Sequence, residues 1–395
     1  MSTESVPLSV LDLVPVSSGG DAATALRNTV DLARHVEEWG YHRYWLAEHH
    51  LAAGVASSQP ALVIGLVAGA TSRLRVGSGA VQLGYPTAVS VVEQFGTLDA
   101  IAPGRIDLGL GRAGHRPARA RPADQAGQPS QLSQPGQPAP AGPEPAPPAR
   151  SRVVGGLLIP PPFAPGRLLS LPRFVAQQEL LRPPDATPRD YAEQVDEIRA
   201  LLAGTFRTPD GHPVHVVPGE GAALQLWVLG SSGGESARVA GARGLPFTAN
   251  YHVSPGTILE TVAAYRAAFV PTEARPRPYL QVSADVVIAD EAATARRLAA
   301  GYAPWVRAIR TGRGAIPFPT PAEADALSWT DEERALVADR LDTQFVGDPD
   351  QVVAGLRRLV EVTGADELLV TTVTHEHADR LRSYRLLAEA WGRSG

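Results

Sequence analysis

The feature that most constrains the fold of this 395-residue chain is a regular alternation of apolar strands and amphipathic helices. The predicted strands are short apolar runs that lack helical periodicity. They cover residues 8–14, 43–46, 74–83, 105–112, 224–229, 245–249, 280–288 and 367–372. Eight strand–helix alternations favour an α/β fold, a single closed (β/α)8 TIM barrel, over an open sheet with an accessory domain. No G-x-G-x-x-G motif follows the first strand, which argues against a dinucleotide-binding unit.

Helices are predicted where apolar residues recur at helical spacing. Asp21 is expected to cap the first helix and Gly40 to end it. Asp348 is expected to cap a later helix that has Pro349 at its first position. A small additional strand is predicted at 214–217. The predicted helices cover residues 22–39, 60–70, 87–101, 190–202, 237–242, 255–269, 292–308, 349–362 and 379–391.

The alternation breaks after the fourth strand. Residues 113–150 are rich in Pro, Gln and Gly and contain no aromatic residue. Such a segment buries too little apolar surface to offset the entropy lost on ordering. We therefore interpret residues 1–395 as one barrel that carries a Pro-rich, partly disordered insertion over 113–189. Residues 153–171 are apolar but interrupted by Pro, which is consistent with a flap over a pocket or with a surface loop.

Composition excludes several functional classes. The absence of Cys rules out disulfides, thiolate catalysis and zinc–thiolate sites. A net charge of -5 without a basic, aromatic-rich stripe gives no indication of nucleic-acid binding. The first residues do not have the pattern of a signal peptide, and no apolar run reaches the ~18 residues of a membrane span. We expect a cytoplasmic protein.

The second predicted strand ends in three ionisable residues, Glu48, His49 and His50. Barrel enzymes carry their catalytic groups at the carboxyl ends of the strands, so this position favours a functional role over a solvated loop. Because the ordinary pKa of His lies near neutrality, we expect His49 to titrate there and to transfer a proton.

Glycine-rich ends of other strands are predicted to open on the same rim. Gly79, Ala80 and Gln82 end the third strand, and Gly111 and Arg112 end the fourth. Backbone amides, hydroxyls and the positive end of a helix bind phosphate well, and a guanidinium is a suitable partner. The predicted phosphate loop, between the fifth strand and the next helix, contains Ser231, Ser232, Gly233, Gly234 and Ser236.

Six motifs in order resemble those of the bacterial luciferase-like flavin-dependent monooxygenases. The resemblance covers residues 6–112 and 190–392 and fails between 113 and 189. The motifs are PLSVLDLVP, YWLAEHH, VGSGAVQL, GRIDLGLGR, LGSSGGESAR with GLPF, and FVGDPDQV.

The resemblance implies a barrel that binds reduced FMN (FMNH2) delivered by a separate NAD(P)H:flavin reductase. Reaction with O2 would give a flavin hydroperoxide that oxidises a small or medium organic substrate. The resemblance further implies that His49 is the acid/base group, that Glu48 lies beside the isoalloxazine, and that Arg112 and the serine loop hold the phosphate. A cis peptide bond is implied at Gly79–Ala80, beneath the ring. Family members are often homodimers that pack their second and third helices.

Several alternatives remain at this point. The same barrel supports an F420-dependent oxidoreductase, and F420 also carries a phosphate. A metal-dependent hydrolase could use His375 and His377 together with the Glu48 motif, although no H-E-x-x-H is present. A non-catalytic partner subunit is disfavoured by the presence of His49 and Arg112. The residues expected near an apolar substrate are Phe163, Leu168, Leu169, Phe174, Tyr251 and His252.

Overall fold

The computed structural model describes residues 6–112, 150–164, 171–182 and 189–393. Within these ranges, eight parallel strands close into a barrel, as predicted. The barrel closes where β10 pairs with β9 on one side and β12 on the other. The barrel strands are β1 (Leu8–Asp12), β2 (Arg43–Leu46), β3 (Arg75–Ser78), β5 (Ile106–Arg112), β8 (Gln225–Gly230), β9 (Phe247–Ala249), β10 (Leu280–Ile288) and β12 (Glu367–Thr371).

Helices surround the barrel and are mostly those that the periodicity predicts. The Asp21 side chain accepts a hydrogen bond from Thr24 N at 2.7 Å, and Gly40 has a φ of 82°, as expected for a cap and a stop. The Asp348 cap is also confirmed, at 3.0 Å from Gln351 N. The helices are α1 (Ala22–Glu38), α2 (Pro60–Ala70), α3 (Ala88–Ile101), α4 (Pro172–Leu181), α5 (Tyr191–Leu202), α6 (Glu235–Ala242), α7 (Ile258–Ala268), α8 (Ala292–Leu298), α9 (Tyr302–Arg310), α10 (Pro321–Asp325), α11 (Asp331–Asp342), α12 (Pro349–Thr363) and α13 (His377–Gly392).

Three predicted elements differ in the structure. The third strand is divided into β3 and β4 (Val81–Leu83), with Gly79 and Ala80 between them. The single helix predicted over 292–308 is two helices, because Pro304 has no amide to donate to the turn before it. The strand predicted at 214–217 is wrong: this stretch is irregular and lies between Pro213 and Pro218, which cannot donate ladder hydrogen bonds.

Some elements were not predicted. The sequence predicts a flap or a surface loop over residues 153–171. In the structure, the start of this range belongs to an antiparallel hairpin of β6 (Arg152–Val154) and β7 (Leu157–Ile159). Helix α11 and the short strand β11 (Phe345–Gly347), which pairs with β10, follow α10. Residues 113–149, where disorder was predicted, lie outside the described residues.

A buried ionic cluster fills the amino end of the barrel. Arg43 donates to Asp107 at 2.8 Å and to Glu367 at 3.0 Å, and Arg75 contacts Asp107 at 2.6 Å. Burial acts to lower the pKa of Arg43, but attraction to Glu367 and Asp107 outweighs it and raises that pKa above its ordinary value. Because the cluster fills the amino end with side chains, a ligand is expected at the carboxyl rim, where barrel enzymes carry their sites.

The Arg43→Met variant tests this ionic cluster. Removing the guanidinium leaves Asp107 and Glu367 as buried charges without their shared partner, which should cost about 3–5 kcal/mol of unfolding free energy. Urea denaturation measures the loss. The control is Arg296→Met on the exposed face of α8, which should change stability by less than about 0.5 kcal/mol. Equal losses in both variants would contradict the role given to the cluster.

Candidate active site

A cavity of about 320 Å³ lies at the carboxyl rim, between the ends of β2, β4, β5 and β8. All the predicted site residues except Gly233 and Gly234 line it. The predicted residues found there are Glu48, His49, Gly79, Ala80, Gln82, Gly111, Arg112, Ser231, Ser232 and Ser236. Sequence reasoning missed Ala47, Leu229, Gly230 and Asn250. Of these, Asn250 directly follows β9, and its position at a strand end was the signal that could have identified it.

The carboxylate of Glu48 is held by hydrogen bonds on both oxygens. Oε1 lies 2.8 Å from His50 Nε2, and Oε2 accepts from Gln82 N at 3.0 Å. The Gln82 side-chain amide in turn donates to the Glu48 carbonyl at 2.6 Å. These bonds fasten the loop after β2 to β4, so Glu48 orients the residues on either side of the cavity.

The His49 ring is accessible from the cavity and forms no side-chain hydrogen bond with any described residue. The surrounding protein lowers the pKa of His49 to about 4, chiefly through desolvation and secondly through His50. The prediction that His49 titrates near neutral pH is therefore wrong for the ligand-free protein, because sequence position does not reveal local solvation. At pH 7 the ring is neutral and can either accept or donate a hydrogen bond.

An anion cradle, formed by Arg112, Ser231, Ser232 and Ser236, occupies one side of the cavity. Ser231 is fixed in place: its Oγ accepts from Asn250 Nδ2 at 3.1 Å and its carbonyl accepts from Thr257 Oγ1 at 2.6 Å. Helix α6 starts at the cradle, and its N-cap residue has no side chain to accept from the first-turn amides. Hydroxyls, a guanidinium and a helix start together form a favourable site for a phosphate.

The backbone at Gly79 passes too close to the barrel interior for any larger residue. A Cβ atom there would lie 2.8 Å from Leu11 Cδ1 and 3.3 Å from Trp45 Cε3. The Gly79–Ala80 peptide bond is cis, as predicted. A side chain at position 79 would therefore require Leu11 to move, so glycine suits this position beside the cavity.

The residues expected near a substrate are dispersed. Phe163 lies beneath the guanidinium of Arg310, 4.1 Å from ring centroid to Cζ, and lines a different cavity. Tyr251 donates to the Leu158 carbonyl at 2.8 Å, and its side chain also lines a separate cavity. Phe174 is on α4, and Leu168 and Leu169 lie outside the described residues.

Helix α4 connects the insertion to the loops beside the Glu48 motif. Gln178 Nε2 donates to Tyr85 OH at 2.9 Å, and Arg173 donates to the Leu51 carbonyl. The Tyr85 ring contacts His50 edge-on, with 5.8 Å between the centroids. This part of the insertion therefore packs next to the candidate site.

His252 was expected near a substrate, and its ring is partly buried. Nδ1 lies 2.6 Å from Ser283 Oγ. Burial lowers the pKa of His252 to about 3, with smaller contributions from Arg340 and His49.

His375 and His377 are engaged elsewhere. His375 Nε2 lies 3.0 Å from the Ser18 carbonyl, and His377 Nε2 lies 2.8 Å from Asp31 Oδ2. Neither lines the cavity of His49. Across the described ranges, no group of three or more His, Asp or Glu side chains is arranged to hold a metal ion.

No helix within the described ranges has the length and apolar character to cross a membrane.

Comparison with known proteins agrees with this geometry. The family model described as luciferase-like monooxygenase matches residues 6–132 and 173–367. A luciferase-like monooxygenase of Escherichia coli K12 is 32% identical over 386 residues, which cover 98% of this chain and 97% of that protein. The Bacillus subtilis protein YvbT is 37% identical over 388 residues, which cover 97% and 96% of the two chains.

Solved structures share the fold. Apo-MsnO8 has a TM-score of 0.74 and 31% identity, with 98% of both chains covered. The oxygenating constituent of 3,6-diketocamphane monooxygenase from Pseudomonas putida, solved with FMN, has a TM-score of 0.61 at 17% identity, with 99% of both chains covered. An F420-dependent secondary alcohol dehydrogenase has a TM-score of 0.57 at 12% identity, covering 98% of this chain and 99% of that one. At such low identity the last two show the fold alone.

The fold is an α/β barrel with a cavity at its carboxyl rim, and the match to luciferase-like monooxygenases indicates an enzyme of the oxidoreductase type. The chain belongs to the luciferase-like monooxygenase family.

The lowered pKa of His252 predicts how stability depends on pH. The unfolded chain takes up a proton near pH 6.5 and the folded ring only near pH 3, so stability is full above pH 6.5 and falls as the solution is acidified. Between pH 7 and pH 4.5, the His252→Gln variant should lose about 2–3 kcal/mol less unfolding free energy than the wild type. Urea denaturation at both pH values measures this difference.

His212→Gln, in an exposed loop, is the matched control for loss of one imidazole. If His252→Gln and the wild type lose the same unfolding free energy on acidification, the ring is not held neutral by the fold.

Proposed function

We propose that this protein is a flavin-dependent monooxygenase that uses FMNH2 and O2 to oxidise a small or medium organic substrate. The observation that supports this most strongly is that one cavity holds both a neutral, accessible imidazole and an anion cradle. His49 lines this cavity together with Arg112 and the serines of the 231–236 loop.

The residues present suit FMN. The cradle offers one guanidinium and three hydroxyls to a phosphate, and Gly79 and Ala80 line the same cavity. The cavity of about 320 Å³ falls at the lower end of the range of about 300–1,000 Å³ that is typical of cofactor sites. When bound, reduced FMN would supply the electrons that activate O2.

The protein's own groups have separate tasks in this proposal. Arg112 and the Ser231–Ser236 loop bind the phosphate and thereby orient the ring. Glu48 keeps the His49 segment in position through its bonds to His50 and Gln82. His49 holds or transfers a proton at its imidazole, and an anionic charge nearby would raise its pKa from about 4 toward the range useful at neutral pH.

An F420-dependent oxidoreductase is the second candidate, because F420 also carries a phosphate for the cradle. Anaerobic titration distinguishes the two. Absorbance changes on adding FMNH2, with none on adding reduced F420, would support the monooxygenase, and the converse would support hydride transfer by F420.

The partners belong to the same proposal. A separate NAD(P)H:flavin reductase would supply FMNH2, and the setting would be the cytoplasm. We also propose a homodimer that packs α2 and α3, since Leu62, Leu66 and Ile101 on these helices are 71%, 58% and 73% exposed. Exposed apolar residues grouped in this way are typical of protein interfaces.

The Arg112→Ala variant tests the phosphate contact. Loss of a charge-assisted hydrogen bond to the phosphate should weaken FMN binding by about 2 kcal/mol. Fluorescence titration measures the dissociation constant. Arg334→Ala, on the exposed side of α11 and away from the cradle, is the control and should change it little. Unchanged affinity in Arg112→Ala would remove the residue from the site.

The His49→Ala variant tests the proton role. The ring forms no hydrogen bond to the described residues, so its loss should leave the fold and flavin affinity nearly intact. Turnover should fall by about 10²–10⁴-fold, the usual contribution of a general acid or base. The measurement pairs flavin titration with oxygen-dependent product formation, and turnover at the wild-type rate would exclude the role.

A further inference from the structure

The anion cradle has an acidic residue on its rim. Glu235 is the first residue of α6 and directly precedes Ser236 of the cradle. Its Oε2 accepts a hydrogen bond from Arg112 Nη1 at 2.7 Å. The two side chains are 30% and 34% exposed, so the pair lies at the entrance of the cradle and not deep inside it.

The Arg112–Glu235 hydrogen bond joins the two groups that would attract an incoming anion, the guanidinium of Arg112 and the start of helix α6. Arg112 ends β5 and Glu235 starts α6, so the bond links a barrel strand to the helix whose positive end faces the cradle. A carboxylate there is attracted to the same guanidinium and the same helix end that would attract a phosphate. Glu235 and a phosphate therefore compete for one region of positive potential.

The competition is incomplete. Among the described contacts of Arg112, only Nη1 bonds to Glu235, and a guanidinium carries five N–H donors. A phosphate can use the remaining donors, but it then lies close to the Glu235 carboxylate, and the two like charges repel. Tyr191, which also interacts with this pair, adds no negative charge of its own, because burial raises its pKa and keeps the hydroxyl neutral.

We propose that Glu235 lowers the affinity of the cradle for the cofactor's phosphate, so that the flavin exchanges with solution. In the cofactor-free protein Glu235 keeps Arg112 in place, and in the complex it weakens the hold on the phosphate. This inference rests on the proposed function, in which flavin reduced elsewhere has to enter and leave. A cradle without this carboxylate would favour a permanently bound flavin.

The test compares FMN with riboflavin, which has the same ring but no phosphate. Dissociation constants are measured for wild type and Glu235→Gln, which keeps the size of the side chain and removes its charge. We expect Glu235→Gln to bind FMN about 5–10-fold more tightly and riboflavin with unchanged affinity. The dissociation rate of FMN, followed by stopped-flow dilution, should slow by a similar factor.

Glu260→Gln is the matched control. The Glu260 carboxylate lies beside the same loop, 2.9 Å from the position of a Cβ on Gly233, but it does not bond to Arg112. We expect this variant to leave the ratio of FMN to riboflavin affinity unchanged. An equal gain in both variants would indicate a general charge effect and overturn the specific role of Glu235.

The remaining outcomes separate this inference from the proposed function. If wild type prefers FMN to riboflavin but Glu235→Gln has the same or a weaker preference, the role of Glu235 is wrong and the cradle stands. If wild type and Glu235→Gln both bind the two flavins equally, the cradle does not bind phosphate and both proposals fail. Thermal unfolding of each variant confirms that α6 remains folded.

Discussion

The buried guanidinium of Arg43 is the constraint on which the rest of the barrel depends. Its carboxylate partners, Asp107 and Glu367, come from β5 and β12, so one side chain connects strands that are far apart in sequence. Such a group is tolerated inside a protein only when paired, and the pairing therefore fixes where these strands start. Because side chains fill this end, the opposite rim is the end that can admit a ligand.

That asymmetry explains the position and character of the candidate site. The strand ends bring together residues that are distant in the chain, and Glu48 ties two neighbouring loops by its bonds to His50 and Gln82. One side of the cavity is built for an anion and the other displays a neutral imidazole. In our proposal, the Arg112–Glu235 pair tunes how strongly the anion side binds a phosphate. In this proposal, the cradle sets the strength of phosphate binding and His49 transfers the proton, so the two tasks belong to separate parts of the same rim.

Much of this was predictable from sequence, because strand order and strand ends follow from local patterns. The barrel strands and most of the cavity lining were predicted in this way. Helix α11 could have been found from its capping box, Thr330 with Glu333, and the hairpin from Gly155–Gly156 between apolar pairs. The lowered pKa of His49 could not have been predicted from the sequence, because it depends on the solvation of the ring in the folded state. The Arg112–Glu235 contact joins residues 123 positions apart and was equally inaccessible.

The central claim is that one cavity at the carboxyl rim binds FMN with its phosphate in the cradle. A crystal structure of the protein soaked with FMN tests this most directly. We predict density for the phosphate within hydrogen-bonding distance of Arg112 and the Ser231–Ser236 loop, with the flavin ring extending toward His49. Flavin density in another cavity, or a phosphate turned away from Arg112, would contradict the account.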